Sequence, residues 1–266
     1  MCACERHPLA ATSNRLSDAP SCLGVLAEHE AVFFDRIANP HALTAVFQPI
    51  VCLRSSQVFA YEALVRCRAA DLDPVTLFEQ ALTYRSTGRL GRIIREIAIP
   101  LCSGVPLFVN LHPNELAEGW LVRPDDPVFF HDRDVYLEIT ESAPITHFDL
   151  CMSVLREICS KGGFHLVVDD LGAGFSNLKL IADLEPAVVK LDRQLVECLD
   201  EKPRQRKLVA TVVRLCHELG AHVVAEGIET TDELGAVLDC GADYGQGYLF
   251  ARPSYPPPSV IWPSLS

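Results

Sequence analysis

Short apolar segments alternate with amphipathic ones along most of the chain. The apolar segments are four to nine residues long and rich in β-branched and aromatic residues, which is typical of β-strands. Eight such segments are found, at 46–53, 58–66, 106–111, 135–140, 164–170, 187–192, 222–228 and 247–250. Segments with the apolar period of a helix lie at 23–44, 74–85, 90–102, 148–163, 207–220 and 230–241, and several of them end in glycine.

Repeated strand–helix alternation around eight strands predicts an α/β fold of the (β/α)8 TIM-barrel type. One connection departs from this rule, because only four residues (54–57) separate the first two strands. A parallel crossover needs a dozen residues or more, so we predict a modified barrel whose first strand is antiparallel to the second. The expected organisation is a flexible leader at 1–22, one barrel domain at 23–254 and a Pro-rich C-terminal tail at 255–266.

Composition and charge narrow the classes of partner. A formal charge of −12 argues against DNA or RNA as ligands, because nucleic-acid binding needs a basic surface. No apolar run approaches the roughly 20 residues that span a membrane, and the N-terminus lacks the apolar core of a secretory signal. These features predict a cytoplasmic protein that does not associate with membranes.

The chain has 11 cysteines, most of which stand singly within apolar stretches. This pattern favours small buried side chains in a reducing compartment over a disulfide framework. Cys2, Cys4, His7 and Cys22 form a looser N-terminal cluster. Its only close pair has C-x-C spacing, so a structural zinc site is the less favoured alternative to a flexible leader.

Polar side chains gather at the C-terminal ends of the predicted strands. They are Glu62, Asn110, Glu138, Asp169, Asp170, Lys190 and Glu226. In a barrel these strand ends converge on one face, where so many carboxylates repel one another unless cations lie among them. Oxygen ligands without His or Cys favour Mg²⁺ or Mn²⁺, and adjacent aspartates can bridge two ions. A solvated acidic rim without metal is the alternative.

An ordered set of short motifs resembles one known family. The motifs are FQPI (47–50), YEALVR (61–66), VNLHPNEL (109–116), LEITES (137–142), VDDLGAGFSNL (168–178), VKLD (189–192), AEGIE (225–229) and YGQGYLFARP (244–253). Their order and spacing resemble the EAL domain, a family of bacterial phosphodiesterases for the second messenger cyclic di-GMP. The resemblance covers about residues 44–254 and implies hydrolysis of cyclic di-GMP to linear pGpG.

The resemblance also implies which residues serve the metals and the reaction. The ligands of a first divalent cation, Mg²⁺ or Mn²⁺, would be Glu62, Asn110, Glu138 and Asp169. Asp169 would bridge to a second cation held by Asp170. Lys190 is similar to the lysine that contacts the attacking water, and Glu226 to the glutamate that supports this water and accepts its proton.

Substrate-binding and supporting residues follow from the same resemblance. Gln48 and Arg66 match positions that hold the guanine and phosphate edges, and the paired donors of arginine suit a phosphate. Glu141 matches the residue that anchors the loop after Asp170, where Gly172 allows a tight turn. Gln246 and Glu229 are expected to support the site from behind the ligands.

Two departures from the family pattern are mild. Cys52 stands where the family often has aspartate, and the loop reads DLGAGFSNL where DFGTGYSSL is commoner.

A homodimer is expected, since EAL barrels commonly pair through surface near this loop. The alternative function is a catalytically weak receptor that binds cyclic di-GMP and signals through a protein partner. The presence of every motif residue favours the hydrolase.

Overall fold

A computed structural model of the chain describes residues 22–37, 42–68, 73–140, 148–173 and 178–264. Eight strands form a closed barrel in which spatial order follows sequence order. They are β1 (Leu43–Cys52), β2 (Gln57–Cys67), β3 (Leu107–Leu111), β4 (Val135–Thr140), β5 (Phe164–Leu171), β6 (Val188–Leu191), β7 (His222–Ala225) and β8 (Tyr244–Gly245). The predicted barrel is confirmed.

β1 runs antiparallel to both of its neighbours, β2 and β8, whereas all other adjacent strands are parallel. A tight turn joins β1 to β2, with Ser56 at a φ of 60° and its amide donating to the Cys52 carbonyl at 2.9 Å. Four residues can form such a turn but cannot carry a crossover helix. The predicted antiparallel first strand is therefore confirmed.

Helices surround the barrel. They are α1 (Cys22–Ile37), α2 (Pro74–Thr83), α3 (Thr87–Ala98), α4 (Pro113–Glu118), α5 (Phe148–Ser160), α6 (Leu178–Leu184), α7 (Arg193–Val196), α8 (Pro203–Glu218) and α9 (Thr231–Cys240). Every predicted helical segment overlaps one of these helices, although α1, α3 and α8 begin one to four residues earlier than predicted. The pattern did not predict α4, α6 and α7, because four to seven residues are too few to establish an apolar period.

The eighth strand was predicted at 247–250, and this is wrong. β8 is Tyr244–Gly245, which pairs with β7 and with the end of β1. The chain then turns away, because the Phe250 amide bonds the Gly247 carbonyl at 3.2 Å and the Leu249 amide bonds that of Ile228 at 3.0 Å. Gly247 lies so close to Ile228 that a Cβ atom would sit 2.0 Å from its carbonyl oxygen.

The C-terminal segment packs along the seam between β1 and β8. Ser254 pairs with Phe47 through two backbone hydrogen bonds, of 2.9 and 3.1 Å. The Tyr61 hydroxyl donates to the Pro258 carbonyl at 2.8 Å, and Trp262 stacks on Phe250. These contacts cover the part of β1 that the two-residue β8 leaves unpaired.

The predicted leader and the zinc alternative on Cys2, Cys4 and His7 lie outside the described residues, and helix α1 already begins at Cys22. The proposed domain boundaries therefore stay predictions. Among the described residues, no helix is both long and apolar enough to cross a membrane.

Arg95 on α3 is buried beneath the helical layer and pairs with two buried carboxylates. Its Nε and Nη2 donate to both oxygens of Asp126 at 2.9 and 2.8 Å, and its Nη1 donates to Glu115 on α4. Burial raises the pKa of Glu115 to about 7, against the opposing effect of Arg95. This network ties α3 and α4 to the loop before β4.

Arg95→Met is expected to lower the free energy of unfolding by about 3–5 kcal/mol, because it leaves two buried carboxylates without their cation. Arg92→Met is the matched control on the same helix. Arg92 pairs with the exposed Glu96 and Asp125, and such pairs contribute about 1 kcal/mol or less. Urea unfolding of both variants measures the difference, and equal losses would contradict a special role for the buried network.

Candidate active site

A layer of polar side chains crosses the barrel at its C-terminal face, one from each strand or from the residue that follows it. Directly beneath lies an apolar layer of Ile50, Ala60, Phe108, Tyr136, Val167, Val188, Val224 and Tyr244. The polar layer follows two positions further toward this face and contains Gln48, Glu62, Asn110, Glu138, Asp169, Lys190, Glu226 and Gln246. The spacing of two arises because alternate residues of a strand face the barrel interior.

Asp170 joins this layer through an irregularity in β5. The pairing of β5 with β6 shifts between Val168 and Leu171, and Asp170 has a φ of 61°. Consecutive residues of a regular strand face opposite sides, so this bulge lets the Asp170 carboxylate approach that of Asp169. Asp169, Asp170 and Glu226 each contribute a carboxylate oxygen to a group within 4.8 Å of one another.

Lys190 is the central cation of the layer. Its side chain is only 1% exposed, and its Nζ contacts four carboxylates. The distances are 2.6 Å to Glu138, 2.7 Å to Glu226, 3.1 Å to Asp169 and 3.3 Å to Glu62. One ammonium thus faces four carboxyl groups, with Asp170 nearby, so the site holds more acidic groups than Lys190 alone can neutralise.

The carboxylates of the layer respond differently to this crowding. Burial raises the pKa of Glu226 to about 8, and burial and the Asp169 charge raise that of Asp170 to about 6. Burial and the charge of Glu62 raise the pKa of Glu138 well above its ordinary value. Burial also acts to raise the pKa of Glu62, but Lys190 and two amide donors together lower it.

Those two amides belong to Asn110 and Gln246. Asn110 Nδ2 donates to Glu62 Oε1 at 3.1 Å, and Gln246 Nε2 donates to Glu62 Oε2 at 2.7 Å. Gln246 Nε2 also lies 3.3 Å from Gln48 Oε1, and Gln48 Nε2 lies 3.4 Å from the Ala251 carbonyl. The amides therefore fix Glu62 from two sides.

The donor set fits a hard divalent cation. All candidate ligand atoms are oxygens, which Mg²⁺ and Mn²⁺ prefer. Both oxygens of Glu138 are buried. Oε1 contacts the Lys190 ammonium at 2.6 Å, whereas Oε2 has no hydrogen-bond donor among the described residues. A buried carboxylate oxygen without a donor is costly, and a cation would satisfy it.

Two adjoining cavities open at this face, each of about 270 Å³. The first is lined by most of the carboxylates, and the second is mainly apolar and is lined by Phe78, Ile94 and Asn110 among others. Leu64 borders both. Arg66 lines the apolar cavity, where its Nη1 bonds the Val65 carbonyl, and so lies beside the carboxylate cluster rather than within it.

The sequence model of the EAL domain matches residues 35–253 of this chain. The chain belongs to the EAL domain family. Relatives of this chain include the cyclic di-GMP phosphodiesterase RocR of Pseudomonas aeruginosa. The two are 30% identical over 79% of this chain and 57% of RocR. The cyclic di-GMP phosphodiesterase PdeR of Escherichia coli is 28% identical over 78% of this chain and 33% of PdeR.

Two solved structures are similar to this chain in sequence and fold. The manganese and cyclic di-GMP complex of Klebsiella pneumoniae BlrP1 at pH 9.0 is 32% identical, with a TM-score of 0.69 over 81% of this chain and 57% of that protein. An EAL domain protein from Listeria monocytogenes is 25% identical, with a TM-score of 0.71 over 85% of this chain and 93% of that one. The chain spans 57% of RocR and 33% of PdeR, so it corresponds to only part of each of these relatives.

Sequence reasoning missed several residues at this face of the EAL domain. Thr140 Oγ1 lies 3.4 Å from Asp170 Oδ2, and Arg193 and Tyr248 line the carboxylate cavity. The period of two offered a signal for Thr140, which follows Glu138 by two positions. For Arg193 and Tyr248 no such signal exists, because both lie beyond the strand ends.

One further predicted residue, Glu229, falls at the edge of the site. Glu229 lines the carboxylate cavity and pairs with Arg193 at 3.2 Å. Glu141, the predicted loop anchor, lies outside the described residues. Gly172 has a φ of 106°, and a Cβ atom there would lie 2.5 Å from the Leu195 side chain, so a glycine is required at this turn.

Proposed function

We propose that this EAL domain is a metal-dependent phosphodiesterase that hydrolyses cyclic di-GMP to linear pGpG. The observation that carries the proposal is the buried layer in which Glu62, Glu138, Asp169 and Glu226 converge on Lys190. Relatives named cyclic di-GMP phosphodiesterases support the choice of substrate. A receptor needs to bind the nucleotide but has no use for a carboxylate cluster that is costly to bury.

The residues that would hold one divalent cation are Glu62, Asn110, Glu138 and Asp169, and Asp170 would hold a second together with Asp169. A bound Mg²⁺ or Mn²⁺ supplies positive charge that lowers the pKa of water and stabilises negative charge on a phosphodiester. The oxygen-only donor set and the buried Glu138 Oε2, which has no donor among the described residues, support this assignment.

Lys190 and Glu226 are proposed to act on the attacking water. Glu226 Oε1 lies 2.7 Å from Lys190 Nζ, and burial raises the pKa of Glu226 to about 8, close enough to neutral pH for this group to exchange a proton with water. The Lys190 ammonium donates hydrogen bonds in a site from which most water is excluded, where it can orient the water and stabilise developing charge.

Gln48 and Arg66 are proposed to bind substrate on either side of this centre. Gln48 lines the carboxylate cavity and Arg66 the neighbouring apolar cavity, so a cyclic dinucleotide that spans both would meet both side chains. Glu229 and Gln246 are proposed to support the site through Arg193 and Glu62, respectively.

One assay tests the proposal directly. The purified chain is incubated with cyclic di-GMP and Mg²⁺ or Mn²⁺, and chromatography separates substrate from pGpG. We expect pGpG to accumulate in proportion to enzyme. Tight binding of cyclic di-GMP by calorimetry, without any pGpG in either metal, would replace the hydrolase by a receptor.

We also propose that the EAL domain forms a homodimer near the segment that follows β5. Of the apolar residues there, Leu180 and Ile181 are buried within the chain, whereas Leu178 is 45% exposed and available to a partner. Light scattering at micromolar concentration is expected to give twice the 29.3 kDa mass of one chain. A monomer with full activity would remove dimerisation from the mechanism. The cytoplasmic location stays a prediction.

A further inference from the structure

Arg193 is the exposed cation of the carboxylate cavity. Of the described residues that line this cavity, only Lys190 and Arg193 carry a positive charge. The Lys190 ammonium is buried and already contacts four carboxylates, whereas the Arg193 side chain is 52% exposed. A ligand that enters from solvent can therefore contact the positive charge of Arg193, whereas that of Lys190 is buried.

The backbone fixes the root of this side chain. Arg193 is the first residue of α7, and Asp192 caps this helix by accepting from the Gln194 amide at 2.8 Å. Gly227, at a φ of 71°, follows Glu226 and lies against the Arg193 stem. A Cβ atom on Gly227 would be 2.5 Å from Arg193 Cγ, so the glycine makes room for the arginine beside Glu226.

The guanidinium is held loosely by two carboxylates that also face solvent. Its Nη1 lies 3.2 Å from Glu229 Oε1, and its Nη2 lies 3.6 Å from Glu197 Oε1. Both glutamates are at least 40% exposed, so these pairs are weak and an incoming anion can compete for the donors. A planar guanidinium suits this role, since it presents paired donors to a phosphate.

We infer that Arg193 binds the phosphodiester of the substrate that is not cut. This inference rests on the proposed function. Cyclic di-GMP carries two phosphodiesters, and its conversion to pGpG cuts only one of them. The lining contributes Glu62, Asp169, Asp170, Glu226 and Glu229, which repel an anion. A cation at the mouth offsets this repulsion for the second phosphodiester, in both the ground state and the transition state.

The test compares ligands with two phosphodiesters and one. Calorimetry in Ca²⁺ measures binding of cyclic di-GMP and of the linear dinucleoside monophosphate GpG, which has a single phosphodiester. We expect Arg193→Ala to lower the affinity for cyclic di-GMP about 10-fold, which is the size of one charge-assisted hydrogen bond. Its affinity for GpG should fall by less than about 2-fold. The affinity of Arg193→Lys for cyclic di-GMP should lie between those of Arg193→Ala and the wild type. Arg214→Ala, an exposed arginine on α8 paired with Glu218, is the matched control and should bind both ligands as the wild type does.

Kinetics provide the second readout. Because Arg193 acts equally on bound substrate and transition state, Arg193→Ala should raise KM about 10-fold and change kcat by less than about 2-fold. Equal weakening of both ligands, or a loss confined to kcat, would overturn the inference, as would wild-type affinity of Arg193→Ala for cyclic di-GMP. If the wild type binds cyclic di-GMP but produces no pGpG, the hydrolase proposal fails while the binding comparison still decides the role of Arg193.

Discussion

Lys190→Met is expected to reduce hydrolysis of cyclic di-GMP by about 10³-fold, since a positioned ammonium or proton acceptor contributes about 10²–10⁴-fold. Glu226→Gln should cause a loss of the same order. Lys190 Nζ lies 2.7 Å from Glu226 Oε1, so the two groups can act on one water molecule. Groups that act mainly in the transition state change the rate more than the ground-state affinity.

Binding and turnover are measured on the same proteins. Calorimetry in Ca²⁺ should show affinity for cyclic di-GMP within several-fold of the wild type, and product analysis in Mn²⁺ should show almost no pGpG. Lys207→Met is the matched control, because Lys207 is exposed on α8 and should leave both quantities unchanged. Near-normal turnover by Lys190→Met would exclude Lys190 from the chemistry. Loss of binding together with turnover would assign it a structural role.

Removal of divalent metal is expected to abolish turnover, and Mg²⁺ or Mn²⁺ should restore it. The converging carboxylates need a hard cation to offset their repulsion, and the buried Oε2 of Glu138 has no hydrogen-bond donor among the described residues. Ca²⁺ should restore little activity, because it prefers longer bonds and more ligands than Mg²⁺. Turnover after chelation and after addition of each metal measures this.

Glu138→Gln tests the metal site without relying on activity. Calorimetry with Mn²⁺ alone should show that the metal affinity falls by at least about 10-fold. Even the loss of a residue that only supports a metal ligand typically lowers metal affinity about 10–100-fold. Glu79→Gln, an exposed glutamate on α2, is the control and should bind Mn²⁺ as the wild type does. Undiminished turnover in excess chelator, or unchanged Mn²⁺ affinity of Glu138→Gln, would contradict the metal-dependent mechanism.

The sequence by itself determined the architecture and most of the polar layer. Alternating apolar and amphipathic segments are enough to specify strands and helices, because the spacing of apolar residues differs between a buried strand and an amphipathic helix. The four-residue connection before β2 dictated an antiparallel first strand, since no crossover fits it. Motif residues such as Glu62 and Lys190 could be placed at strand ends, which a barrel brings to one face.

Only the tertiary structure decided how these residues meet. Lys190 is 128 positions from Glu62, and their contact depends on barrel closure, which no local pattern encodes. The bulge that turns Asp170 toward Asp169 depends on the pairing of β5 with β6. The short β8 follows from the close approach of Gly247 to the Ile228 backbone. Arg193 reaches the cavity mouth because α7 packs on the loop after β7, so long-range packing rather than periodicity determined its place beside Glu226.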